Sequence, residues 1–210
     1  MTDDIPRGDY NDKMVIANRI ERRAIRRFDK CLARLIAQCP ASRILDVGCG
    51  NGARAASLAR ERGAMTEVVG VDLPGSDNLL EAAWASISEP NLRFETADAM
   101  CLPFRDGHFQ LVTAIETLEH FADPERALTE IRRVCSGFLV ASVPQEPIWR
   151  VLNVAAGRHI EGRPSRRWGD TPGHVNHWSR REFADLLSAH GKVVEVRSRL
   201  PWSVALVRLF

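Results

Sequence analysis

The chain has 210 residues, of which 45% are apolar and 27% charged, a composition typical of one globular domain with a sizeable core. Its net charge of +2 is too small to indicate a nucleic-acid or membrane partner, and no apolar run approaches the ~18 residues that a membrane-spanning helix needs. Five cysteines without a CxxC pair predict neither a disulfide framework nor a zinc site, and the acidic, polar residues 1–12 differ from a signal peptide, so we expect a cytoplasmic protein.

Strands and helices alternate along most of the chain. Apolar residues spaced by three and four predict one or two amphipathic helices over 13–38. The elements that follow are predicted as strand 43–47, helix 53–62 closed by Gly63, strand 67–72, helix 77–88, strands 92–96 and 108–115, helix 124–135 and strand 137–143. This alternation is typical of a parallel sheet with helices on both faces.

The alternation breaks between residues 144 and 178, a stretch rich in proline and tryptophan. A structureless loop of this length is uncommon in a domain unless it is functional, so we expect a cap over the ligand site with one short helix near 147–156. A helix over 179–190, begun by a Ser179–Glu182 capping box, and antiparallel strands 192–198 and 203–209 complete the predicted single domain.

The segment ILDVGCGNG at 44–52 predicts a ligand site. A strand brings the chain to the carboxyl edge of the sheet, where glycines permit a tight turn and let backbone amides approach a ligand closely. The helix that begins near Ala53 directs its positive end to the same place. Asp72 ends the next strand, where an acid can accept hydrogen bonds from both hydroxyls of a ribose.

Two nucleoside cofactors are compatible with this pattern. Gly48, Gly50 and Ala53 satisfy the G-x-G-x-x-G/A pattern of NAD(P) sites. Asp46, two residues before the first glycine, is expected at the mouth of the loop, where it would repel a pyrophosphate but attract an ammonium group. Asp98 ends the third strand, where it could accept from an adenine amino group. Three acids without a phosphate cradle favour S-adenosylmethionine, although each acid alone could be a helix cap or a turn residue.

At these residues the sequence resembles the class I methyltransferases, in particular the methyltransferase type 11 group. The resemblance lies in ILDVGCGNG (44–52), VVGVD (68–72), FETADAMCLPFRDGHFQLV (94–112) and IETLEHFADPERALTEIRRV (115–134), with a less diagnostic match over 173–202. It implies an α/β, Rossmann-like three-layer sandwich whose seven-stranded sheet is mostly parallel, with an antiparallel last strand. It also implies S-adenosylmethionine as the methyl donor.

The resemblance further implies which residues contact the cofactor. By position these are Asp46, Gly48 and Gly50 at the methionine part, Asp72 and Leu73 at the ribose, Asp98, Ala99 and Met100 around the adenine, and Ile115 and Glu116 beneath the cofactor. We expect the helical segment 1–40, including Tyr10, to close over the same cleft. The group methylates quinone-type compounds, other natural products and some macromolecules. Because the chain has no added RNA-binding module and no Asn/Asp-Pro-Pro-Tyr motif, we expect a small-molecule acceptor and no nucleic acid.

A hydroxyl acceptor would benefit from a general base, for which histidine is the usual residue. His120, His174 and His177 are the candidates, with structural roles as the alternative. Glu116, Glu119 and His120 are similar to a magnesium-linked cluster in some ubiquinone-pathway O-methyltransferases, but the wider group carries the same letters without a metal, so a metal stays open.

Three further interpretations stay open. The basic residues of 19–34 form either a solvated helix face or an anion-binding surface, and those of 158–181 either contact an anionic acceptor or are solvated. The cap tryptophans either line a pocket or fill a small second core. The chain is either an enzyme or a non-catalytic partner subunit that binds S-adenosylmethionine.

Overall fold

The computed structural model of the chain describes residues 19–74, 79–155 and 171–209. The described elements are, in chain order, α1 (Arg19–Ala37), β1 (Arg43–Val47), α2 (Ala53–Arg62), β2 (Glu67–Asp72), α3 (Leu79–Ala85), β3 (Leu92–Thr96), β4 (Phe109–Ile115), a 3-10 helix (Leu118–His120), α4 (Pro124–Val134), β5 (Cys135–Pro144), α5 (Ile148–Ala155), α6 (Arg180–Ser188), β6 (Gly191–Arg199) and β7 (Trp202–Leu209). None of these helices is long and apolar enough to cross a membrane.

The seven strands form one sheet in the order β3-β2-β1-β4-β5-β7-β6. The pairs among β1 to β5 are parallel, whereas β7 runs antiparallel to both of its neighbours, β5 and β6. The predicted fold is thus confirmed, including the antiparallel last strand. The order of strands reverses between β1 and β4, and ligands of open α/β sheets bind at the carboxyl ends of the strands beside such a reversal.

Two apolar clusters cover the two faces of the sheet and make it a three-layer structure. One cluster joins the sheet to α4 and α6, and the other joins it to α1 and α2. The central strands are buried on both faces, which explains why RILDV and FQLVTAI read as nearly continuous apolar runs rather than as alternating patterns.

Most predicted elements lie within one or two residues of the observed bounds. Helix α3 differs more, because it ends at Ala85, three residues before the predicted end at 88; strand β5 begins at Cys135 and includes Pro144, which pairs with Trp202 of β7. Several predictions fall outside the described residues: Tyr10, the start of the first helix at 13–18, and the middle of the cap at 156–170. The described ends of the cap include the expected short helix as α5.

Helix α6 begins with the predicted capping box. The Ser179 hydroxyl accepts the Glu182 backbone N–H at 3.3 Å, and the Glu182 carboxylate accepts the Ser179 N–H at 2.8 Å. These bonds satisfy two of the backbone donors that the start of a helix leaves unpaired. They also anchor the end of the histidine-containing segment 171–178.

Ser179→Ala removes the cap and should lower the free energy of unfolding by about 1 kcal/mol. The matched control is Ser188→Ala at the other end of α6, where the hydroxyl bonds only the exposed Asp185 carbonyl, and it should change stability by less than about 0.5 kcal/mol. Urea unfolding of both variants measures the difference. Equal effects would show that the capping box contributes nothing specific.

Candidate functional site

The glycine loop after β1 has the backbone geometry that its glycines permit. Gly48, Gly50 and Gly52 have φ values of 69°, 54° and 83°, in the left-handed region that side chains disfavour. A Cβ at Gly48 would lie 2.3 Å from a methyl carbon of Thr117, whereas a Cβ at Gly50 would meet nothing within 4 Å. Gly50 therefore borders open space, into which a ligand can approach the backbone.

Asp72 connects the end of β2 to this loop. Its Oδ2 accepts the Gly50 N–H at 2.8 Å, and its Oδ1 accepts the Leu73 N–H at the same distance. Each carboxylate oxygen has a second lone pair, so both oxygens can still accept from a ribose diol. Leu73 is exposed beside the carboxylate, in the position expected of a ribose contact.

Asp46 lies deeper than the sequence predicts. It was expected at the mouth of the loop, but it is still part of β1 and is only 2% exposed. The Thr113 hydroxyl of β4 donates to its Oδ1 at 2.6 Å. Burial raises the pKa of Asp46 to about 6, and the Thr113 bond only partly offsets the rise. A cationic group bound above the loop would favour the ionised form.

The three residues expected around an adenine follow β3. Asp98 is exposed and its Oδ1 accepts the Met100 N–H at 2.8 Å, while Ala99 is buried in the core. Asp98 thus shapes a tight turn at the same edge of the sheet as Asp72. Asp98 can hold this turn and contact a ligand at the same time, because its second carboxylate oxygen does not take part in the bond to Met100.

Glu116 follows Ile115, the buried last residue of β4, with a φ of 55°, the only positive φ of a non-glycine residue among those described. Its Oε1 accepts the indole N–H of Trp202 at 2.8 Å. Trp202 is buried and its ring contacts those of Phe28 and Trp149 at centroid distances of 4.7 and 5.7 Å. The strained residue is therefore held by a side chain from β7.

The expected Glu116, Glu119 and His120 cluster does not form as such. Ligand-capable atoms of Glu119, His120 and His174 lie within 4.8 Å of one another, and Glu116 is not in this group. The cap segment reaches the 3-10 helix through the backbone, because the Val175 and Asn176 N–H groups both donate to the Glu119 carbonyl.

The three candidate bases converge at the carboxyl ends of β4 and β5. The His120 and His174 rings are 4.9 Å apart, those of His174 and His177 are 6.5 Å apart, and Trp149 lies 6.3 Å from His174. Trp178 instead packs against Phe183 of α6, so it belongs to the core, and Trp168 lies outside the described residues.

The relatives of the chain agree with this geometry. Residues 45–138 match the model of a family described as a methyltransferase domain. The chain is 40% identical over 96 residues to Methyltransferase GfsG of Streptomyces halstedii, across 44% of this chain and 33% of that protein. It is 38% identical over 99 residues to 2-phytyl-1,4-naphtoquinone methyltransferase of Trichormus variabilis, across 45% of this chain and 42% of that protein. Residues 45–138 of the chain are thus similar to a methyltransferase domain.

The two curated relatives match less than half of this chain. The chain in turn aligns with less than half the length of either relative. The fold extends the likeness further. A crystal structure of a protein from Pyrococcus horikoshii superposes with a TM-score of 0.68 and 20% identity, over 93% of each chain. The cofactor of such methyltransferases is S-adenosylmethionine, and the glycine loop, Asp72 and Asp98, at the carboxyl edge of the sheet, are the candidate residues for its site.

Sequence reasoning missed several residues of the methyltransferase site. Trp84 donates to the Gly50 carbonyl at 2.7 Å and stacks on Phe94, and no local pattern indicates either contact. Trp202 lies one residue before the predicted strand 203–209, and no pattern assigned it a role. Glu146 could have been found, because it follows the end of β5 closely, as Glu116 follows the end of β4.

Asp46 gives the methyltransferase domain a testable pH dependence. Its pKa of about 6 exceeds the ~3.9 of an unfolded aspartate, so folding favours the protonated form. Its stabilising contribution is therefore complete below pH ~4 and is lost as pH rises through ~6. Asp46→Asn should be the more stable protein at pH 8, by up to about 2–3 kcal/mol, and should lose this advantage at pH 4.

Urea unfolding of wild type and variant at both pH values measures the change, since effects of other groups cancel in the difference. Asp185→Asn, at a carboxylate whose side chain is 73% exposed, is the control and should show no such pH dependence. A stability difference for Asp46→Asn that stays constant from pH 4 to pH 8 would contradict the buried-carboxylate account.

Proposed function

We propose that the chain transfers a methyl group from S-adenosylmethionine to a hydroxyl group of a small molecule. The observation that carries this proposal is the convergence of His120, His174 and His177 beside Trp149, at the edge of the sheet that holds the glycine loop. An aromatic wall with a few polar groups is typical of a small-molecule pocket. The quinone methyltransferase among the relatives supports an acceptor of this kind.

The cofactor fits the residues that are present. The open space at Gly50 admits the ligand, Asp72 can accept from the ribose, and the Asp72 carboxylate beside the loop disfavours a pyrophosphate there. When bound, S-adenosylmethionine supplies a methyl group that its sulfonium already activates. The chain then contributes a base and holds the acceptor and the methyl group in position. Such positioning can supply ~7–11 kcal/mol of the barrier reduction.

In the transfer, an oxygen lone pair of the acceptor forms the new C–O bond while the C–S bond breaks and its electron pair remains on sulfur. The hydroxyl proton must leave the acceptor oxygen, and we assign it to His174 or His177. The His120 Nδ1 lies 3.0 Å from the Gly173 carbonyl, so Nδ1 carries the proton of the neutral ring and Nε2 carries its lone pair, which leaves His120 as the alternative base. An anionic acceptor bound by the arginines of the cap remains part of the proposal.

His174→Ala and His177→Ala, made separately, test the base. At least one should lower kcat by about 100-fold or more while S-adenosylhomocysteine binds with near wild-type affinity. The assay measures S-adenosylhomocysteine formed with catechol or 1,4-naphthohydroquinone as acceptor, and with tryptamine as the amine alternative. His108→Ala, at the amino end of β4, is the control. Normal turnover by both variants would show that neither His174 nor His177 is the base, and turnover with tryptamine alone would exclude the hydroxyl acceptor.

A further inference from the structure

Glu146 lies just beyond β5, at the same edge of the sheet as the histidines, and its side chain is 7% exposed. Its backbone N–H donates to the Trp178 carbonyl at 2.9 Å, and the preceding Gln145 forms a parallel bridge with Trp178. The segment that carries His177 is thereby fixed against the segment that carries Glu146. This backbone pairing places the two side chains next to each other.

The two oxygens of this carboxylate have different surroundings. Oε2 accepts from the Arg150 Nε at 3.1 Å, one turn further along the chain. Oε1 is buried, accepts no hydrogen bond from any described residue, and lies 3.5 Å from the His177 Nδ1. A buried carboxylate oxygen without a hydrogen bond is costly, so this one requires a partner. Catalytic hydrogen bonds are often long in the free enzyme and shorten when substrate binds.

We propose that Glu146 is a positioning residue that selects His177 as the base, an inference that rests on the proposed methyl transfer. If Oε1 accepts from Nδ1–H, the lone pair of the neutral ring lies on Nε2, which points away from Glu146. The acceptor O–H then gives its proton to Nε2 as the C–O bond forms and the C–S bond breaks. The imidazolium formed in this step is stabilised by the carboxylate behind it, as in other carboxylate–histidine pairs.

This assignment also narrows the class of acceptor. A base adds rate only when the attacking atom carries a proton that must leave, as a phenol or hydroquinone hydroxyl does. A tertiary amine or a thioether would gain nothing from it. The geometry therefore points to an acceptor whose attacking atom carries a proton, such as a hydroxyl group, beside the Trp149 ring.

Glu146→Gln tests the Glu146–His177 pair, because the Arg150 guanidinium has only hydrogen-bond donors. The amide oxygen must face Arg150, so the amide NH₂ turns toward His177 and donates to Nδ1. The substitution should then move the proton from Nδ1 to Nε2 and remove the lone pair from the catalytic side. The chain offers a matched control in Glu125→Gln, since Glu125 lies 2.6 Å from the His190 Nε2 in another carboxylate–histidine pair.

The first readout needs no substrate. NMR of protein labelled with ¹⁵N at histidine reports which ring nitrogen carries the proton, at a pH where the ring is neutral, and His177→Asn identifies the His177 signals. We expect Nδ1–H in the wild type and in Glu125→Gln, and Nε2–H in Glu146→Gln. An Nε2–H ring in the wild type, or an unchanged tautomer in Glu146→Gln, would overturn the proposal.

The second readout is turnover with catechol and S-adenosylmethionine. Glu146→Gln should lower kcat by about 100-fold or more with little change in KM, as expected for a base held in the wrong tautomer. Glu146→Asp keeps the charge one methylene shorter and should recover part of the loss. If Glu146→Gln loses activity but the His177 tautomer is unchanged, the positioning role is contradicted and the proposed function is not. If the tautomer changes as expected but the wild type shows no turnover, the proposed function is contradicted and the positioning role is not.

Discussion

The hydrogen bond from the Gly50 N–H to the Asp72 carboxylate is the constraint on which the proposed cofactor site depends. It ties the loop after β1 to the end of β2, and it holds three glycines in left-handed conformations that no other residue adopts without strain. Trp84 fixes the same peptide from the opposite side through the Gly50 carbonyl. The loop is therefore rigid before any ligand arrives, which lowers the entropy cost of binding.

A second constraint places the proposed acceptor side of the site against the proposed cofactor side. Strand β7 inserts between β5 and β6, and this brings Trp202 to Glu116 at the end of β4. The same indole contacts Phe28 of α1 and Trp149 of α5. One side chain thus links the amino-terminal helix, the strained end of β4 and the cap, which explains how the cap histidines reach the carboxyl edge of the sheet.

Local sequence patterns were enough to predict the helices and strands, the glycine loop and the capping box, because each of these depends on residues within a few positions of one another. They could not reveal contacts such as that of Trp84 with Gly50 or of Trp202 with Glu116, which join residues 34 and 86 positions apart. They also misplaced Asp46, since its depth depends on where β1 ends relative to β4. Composition alone could not distinguish Trp149, which lies beside the histidines, from Trp178, which packs in the core.

Calorimetric titration with S-adenosylhomocysteine and with NADH tests the central claim most directly. The account predicts saturable binding of S-adenosylhomocysteine, none of NADH, and a loss of about 1.5–3 kcal/mol of binding free energy in Asp72→Ala, the worth of hydrogen bonds to a charged group. Binding of NADH without binding of S-adenosylhomocysteine would contradict it.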